Sequence, residues 1–149
     1  MSFFGDIFGG KAAMQAANYN AKIMERNAKI KEQEAEQIMS VHNNYNLPKF
    51  DRTVEQIQGQ TTVAYLSSGV TYSGTVVDAL YSQELELQTD KDIMQYNAEN
   101  ARDQKENEAI QLRADADLSR WRGKVAKKAS YYAAGQSLLT TGTMIYGAG

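Results

Sequence analysis

Few residues in this sequence are of a type that does chemistry, and their spacing narrows the options. Glu84, Glu86, Asp90 and Asp92 form an acidic run. On a helix, positions 86 and 90 are neighbours that could share a cation. A solvated acidic helix face explains the run without a ligand and is preferred. His42 is the single histidine and there is no cysteine. No His pair and no thiolate is therefore on hand for zinc or for nucleophilic attack. "GVTYSG" carries Gly69 and Gly74 but follows no convincing strand, so it reads as a hinge and not as a phosphate cradle. No acid, base and nucleophile come together, which argues against an enzyme, and no metal or cofactor is expected.

The one dense cluster is cationic. Trp121 stands among Arg120, Arg122, Lys124, Lys127 and Lys128. An aromatic among cations is the chemistry of a membrane-interface collar or a phosphate contact. Taken alone, the cluster reads equally as a Trp packed on a neighbouring helix with its basic flanks in water. Immediately after it come 21 uncharged residues, Ala129–Gly149, about the length that spans a bilayer core as a helix. Ser, Thr, Gln and four glycines keep this tail below the hydropathy of an ordinary membrane helix. Ala129, Ala133 and Ser137, with Ser130 and Ala134, have the four-residue spacing that lets helices approach closely. Ala133, Ala134, Gly135, Leu138, Leu139 and Gly142 form the candidate packing or insertion segment. Three readings stay open, in this order: packing in a crowded ring, insertion conditional on oligomerisation, and an unstructured tail.

Long helices must position these residues. Lys11 to His42 is rich in Ala, Met, Glu, Gln and Lys, all good helix formers. Ala16, Ile23 and Ile30 lie seven apart, with Ile38 near the next position, which predicts a seam along another helix. Their companions Asn20, Asn27 and Glu34 are polar, so the seam belongs to a bundle and not to a leucine zipper. Asn43, Asn44 and Asn46 give turn chemistry, and Pro48 suits the first turn of a second helix reaching about Leu66. Ser67-Ser68-Gly69 and Ser73-Gly74 mark the clearest break. A very long helix then carries Leu80, Leu87, Met94 and Ala101 every seven residues. Val77 and Ala98 fill the partner position, while Glu84, Lys91 and Lys105 occupy it elsewhere. Gly123 is a candidate kink or end. The predicted organisation is a flexible N-terminus (1–10), a helical segment (11–68), a hinge loop (69–74), a long helix (75–128) and the uncharged tail (129–149). The fold class is all-α and elongated, a helical hairpin or open bundle serving as a ring subunit.

Composition sets the energetics. The chain has 149 residues, one of them proline, and a net charge of −2. Its 42% hydrophobic content leans on Ala and Tyr, which bury little apolar surface or carry a polar handle. A core made by one copy would be thin against the cost of ordering the chain, so burial by other subunits is expected. Residues 1–60 hold seven basic and seven acidic residues, 61–112 three and nine, and 113–149 six and two. The acidic middle opposes a polyanion, and no sequence-specific nucleic-acid binding is expected. The start, "MSFFGDIFGGKAAMQ", lacks a basic n-region and is broken by Gly5, Asp6, Gly9 and Gly10, so no conventional export signal is expected.

The order of segments resembles the small internal virion proteins, or ejection proteins, of short-tailed bacteriophages. It rests on "KAAMQAANYNAKIMERNAKIKEQEAEQ", then "SSGVTYSGTVVDAL", then "IMQYNAENARDQKENEAIQLRADADL" and last "RWRGKVAKKASYYAAGQSLLTTG". It covers nearly the whole chain. The best local matches are the Gly69/Gly74 pair leading into a helix and Ala134, Gly135, Leu138, Leu139 and Gly142. The resemblance implies a location inside the capsid, stacked with larger internal core proteins above the portal. It further implies passage through the tail into the host envelope, where the protein helps form a DNA channel at the outer membrane. It carries no catalytic residues. The chain departs from the family in being short and in lacking a clearly apolar membrane segment. A purely structural virion core or adaptor protein is the alternative.

Overall fold

In the computed structural model, residues 3–69 and 74–146 are described, with side-chain surroundings for 4–69 and 76–141. Among the described residues the chain is all-helical. Helix α1 is Phe3–Val41, a π-helical turn follows at His42–Asn46, helix α2 is Leu47–Ser67 and helix α3 is Gly74–Tyr146. Two compact units result. The first combines α1 up to Lys31 with α3 from Asn107 on, and the second is Glu32–Glu106.

Several expectations are corrected here. The helical segment does not start at Lys11, because α1 begins at Phe3 and runs through Gly9 and Gly10. Gly123 does not end α3, which continues through most of the uncharged tail to Tyr146. The asparagines at 43, 44 and 46 make no chain-reversing turn. Val41, Asn46 and Leu47 all keep right-handed helical dihedrals, so α1 passes through the π turn into α2. The physical reason is Pro48, in the first turn of α2. Its ring cannot donate and crowds the carbonyl four residues back. Widening the preceding turn to π geometry absorbs that defect without breaking the helix.

In the first unit, α1 and α3 run antiparallel. Ser119 Oγ donates to the Ala17 carbonyl at 3.0 Å, and Lys31 pairs with Glu108 at 3.3 Å. The buried positions are Ala21 and Ala28 on α1 and Ala109, Ala116 and Ala134 on α3. Gly10 and Gly123 are buried too. A Cβ on Gly123 would lie 2.7 Å from Ala17 Cβ and 3.4 Å from Met14 Cα. At Gly10 it would collide with the Ser130 side chain, 3.3 Å from Lys127 Cα. The helices therefore meet almost backbone to backbone. Seven-residue spacing of small side chains keeps that contact in line along both helices.

This overturns the expected α1 seam. Ala16, Ile23 and Ile30 lie on the exposed side, Ile23 and Ile30 at 40% and 42%. A β-branched side chain cannot enter a seam that excludes even a methyl at Gly123. The alanines five residues further on, Ala21, Ala28 and Ala35, take the inside instead.

In the second unit, Ala35 and His42 continue the seven-residue series of Ala21 and Ala28. Leu80, Leu87, Met94 and Ala101 are half-buried at the spacing read from the sequence. Lys91 and Lys105, polar intruders in that stripe, reach Asp51 and Glu34, each at 2.9 Å. His42 Nε2 donates to Gln95 Oε1 at 2.7 Å. Gln83 Nε2 donates to Thr61 Oγ1 at 3.1 Å. α2 ends as its sequence suggests. The Ser68 amide donates to the Ala64 carbonyl at 3.2 Å, and Gly69 takes φ +77°, the left-handed position a glycine fills past a helix end. Of the expected hinge, Gly69 ends the described stretch and Gly74 opens α3; residues 70–73 lie outside the described residues.

Candidate functional site

The cationic cluster lies on α3 in the first unit, and the structure divides it. Arg120 is not part of an open collar. Its guanidinium meets Glu25 of α1 at 2.6 Å and Asp117 at 3.3 Å. The hydrogen bond to Glu25, opposed in part by desolvation, raises the Arg120 pKa above its ordinary value, so this group is a fixed cation tying α3 to α1. Arg122 is exposed, and helical geometry turns it away from Lys124, Lys127 and Lys128 by a third of a turn or more. Trp121, Lys124, Lys127 and Lys128 do come together. With Met14, Val125 and Tyr131 they line an open groove of about 370 Å³. Lys127 Nζ stands 5.8 Å from the centre of the Tyr131 ring, within cation–π reach. Trp121 is 61% exposed. The packed-Trp reading therefore fails within this chain: the indole faces outward.

The tail segment also separates by face. Ala134 is buried, Gly135 half-buried, and Ala133 exposed. Leu138 and Leu139 are exposed, at 54% and 72%. Gly142 lies within α3, but its surroundings are outside the described residues. The tail hydroxyls are not idle. Ser130, Ser137, Thr140 and Thr141 donate to the carbonyls of Lys127, Ala134, Gln136 and Ser137, all between 2.7 and 3.0 Å. Bonding back to the helix's own carbonyls removes much of the cost of setting a hydroxyl against an apolar neighbour. Thr53, Thr61, Thr62 and Thr89 do the same elsewhere.

What sequence reading missed is a second apolar face on each helix. On α3, Ile110, Leu118, Trp121, Val125 and Tyr132 are exposed and lie opposite Ala116 and Gly123 by helical geometry. On α1, Phe8, Tyr19, Ile23 and Ile30 are exposed and lie opposite Ala21 and Ala28. The signal was in the sequence: a helix with alanines every seven residues and large apolar residues on the other side has two contact faces, not one.

The acidic run is solvated. Glu84, Glu86, Asp90 and Asp92 are all exposed, and among the described residues no group of three or more His, Cys, Asp or Glu side chains could hold a metal ion. Among the described residues, too, no helix is long and apolar enough to cross a membrane. No family model, curated protein or solved structure matches this chain.

Proposed function

We propose that this chain is an internal virion protein of a short-tailed bacteriophage, an ejection protein. It is packed as a homo-oligomeric ring in the capsid core above the portal and passes into the host envelope, where it helps form the DNA channel. It works by assembly and translocation and not by catalysis. The observation that carries this reading is the pair of exposed apolar faces behind the α1–α3 seam. Side chains such as Phe8, Ile30, Trp121 and Tyr132 gain nothing in water, and a subunit flanked by copies or by core proteins buries them. The reading also rests on the segment order that resembles the family.

The envelope step belongs to the segment around Trp121 and to the tail. An outward indole beside Lys124 and Lys128 suits an anionic lipid surface, and self-bonded hydroxyls lower the cost of burying the tail. Purified chain added to dye-loaded vesicles containing anionic lipid tests it. Leakage by the wild-type protein, lost in Leu138→Asp/Leu139→Asp, is the expected result. No leakage at any concentration sinks the envelope step.

The second reading, a virion core or adaptor protein that never touches lipid, is favoured by the lack of a membrane-spanning helix among the described residues. Protein mass spectrometry of purified particles and of their ejected material separates the two. Both readings need the chain in the particle; only the first needs it to leave with the DNA.

A further inference from the structure

We propose that copies of this chain join through unlike surfaces: the basic outer face of α1 in one copy docks on the acidic outer face of α3 in the next. This rests on the ring reading above and names its contact. The α1 face carries Phe8, Tyr19, Ile23 and Ile30, exposed and opposite the alanine seam. Beside them stand Lys22, Arg26 and Lys29, all exposed and in no ion pair among the described residues. Glu25, the one acid in that stretch, is already held by Arg120. The outward charge of this face is therefore wholly positive.

The α3 face lies in the second unit. Leu85 and Tyr96 are exposed and opposite the side that carries Val76, Leu80 and Leu87, and Tyr81, also exposed, stands at the edge of that face. Glu86 and Asp92, both exposed, flank them, and half-buried Glu99, which accepts from Gln95 Nε2 at 2.8 Å, lies at the edge beyond Tyr96. The bases of this stretch are committed within the chain, Lys91 to Asp51 and Arg102 to Asp103. What remains facing outward is an apolar stripe bordered by carboxylates. By helical rise the α1 face runs about 33 Å and the α3 face about 27 Å, so one can cover the other. Apolar stripes supply the burial, and the flanking charges select partner and register. Because the two surfaces differ, each docking leaves one of each kind open. The contact therefore repeats head to tail until it closes as a ring or continues as a filament.

Sedimentation velocity on the full-length chain tests this at low and high salt. The wild-type protein is expected to self-associate, less at high salt, where charges are screened. Lys22→Glu/Arg26→Glu/Lys29→Glu and Glu86→Lys/Asp92→Lys/Glu99→Lys should each weaken association by about tenfold or more, since like charges then face each other. An equimolar mixture of the two variants should regain it, because each altered face then meets its complement. Helix content by circular dichroism confirms that the variants are folded; if a triple reversal loses helix, Arg26→Glu and Asp92→Lys replace the triples in the same scheme. Association unaffected by the reversals, or a mixture that does not recover, overturns this contact and leaves ring assembly to another surface. A wild-type chain that stays monomeric at every concentration in both salts overturns the contact and the ring together.

Discussion

Gly123 and Gly59 both sit inside helices, and the same substitution should act on them with opposite sign. In a helix interior alanine is favoured over glycine by about 1 kcal/mol. At Gly59 no atom lies within 4 Å of a new methyl, so Gly59→Ala should stabilise by about 0.5–1 kcal/mol. At Gly123 the methyl would stand 2.7 Å from Ala17 Cβ and 3.4 Å from Met14 Cα. Neither of those atoms is the swinging end of a flexible chain, so the helices themselves must separate. Overpacking of this kind costs about 1–3 kcal/mol, enough to outweigh the helix propensity. Urea titration followed by circular dichroism should show the midpoint rise for Gly59→Ala and fall for Gly123→Ala. Equal shifts would mean that the close approach of α1 and α3 is absent in solution. A similar contrast explains Trp121: its bulk has no place in a seam lined by alanine and glycine, so it faces out.

At the scale of helices, the antiparallel register is marked by ion pairs that cross between α1 or α2 and α3: Arg120 with Glu25, Lys31 with Glu108, Lys105 with Glu34, and Lys91 with Asp51. Their side chains are about a third to a half exposed, so each contributes only about 0.2–1 kcal/mol. Their use is to oppose a slip of one turn, which would set like charges together. Glu34→Lys and Lys105→Glu should each lower the urea midpoint, and the double reversal should recover most of the loss. A double variant no better than the sum of the singles would show that the pair is not made. The elements themselves were largely legible in the sequence: good helix formers, a single proline and the Ser/Gly break near 67–74 gave the number and order of helices. The stripe on α3 was legible because Leu80, Leu87 and Met94 are large. The stripe on α1 was not, because hydrophobic periodicity weights side chains by size and the seam selected them for smallness. Ala21, Ala28 and Ala35 are seven apart as surely as Ala16, Ile23 and Ile30, and only the distance between backbones decides which set turns inward. The π turn was hidden for a related reason. Asn43, Asn44 and Asn46 announce a turn by composition, whereas Pro48 inside a continuing helix requires only a wider one. At the candidate site, the sequence placed Trp121 and its lysines correctly on one stretch, but it could not show that Arg120 is held by Glu25, ninety-five positions earlier.

For the whole molecule, what matters is how little one copy buries. Among the described residues the buried apolar side chains are alanines and Val76, and the largest fully buried side chain is His42. A buried methyl yields about 0.8 kcal/mol where a buried Leu, Ile or Phe yields about 1.5–3. The chain does own such residues, but Phe8, Tyr19, Ile30, Leu85, Ile110 and Tyr132 lie exposed. Close van der Waals contact along the alanine seam is real stabilisation, yet it does not use the side chains that contribute most. If copies cover those faces, folding and association are linked, and stability must depend on how much protein is present. Thermal unfolding of the wild-type chain should then shift upward with concentration, by about 2.7 kcal/mol of added stability per hundredfold for an association that involves only the folded form. For a chain of this length that is several degrees in Tm, on the order of 3 °C per kcal/mol. The Lys22→Glu/Arg26→Glu/Lys29→Glu chain should lose most of that dependence while keeping its helix content at high concentration, because its seam is untouched. A wild-type Tm that does not move over a hundredfold range would mean that the alanine seams suffice on their own, and that the exposed aromatic and aliphatic residues answer to some partner other than a copy of this chain.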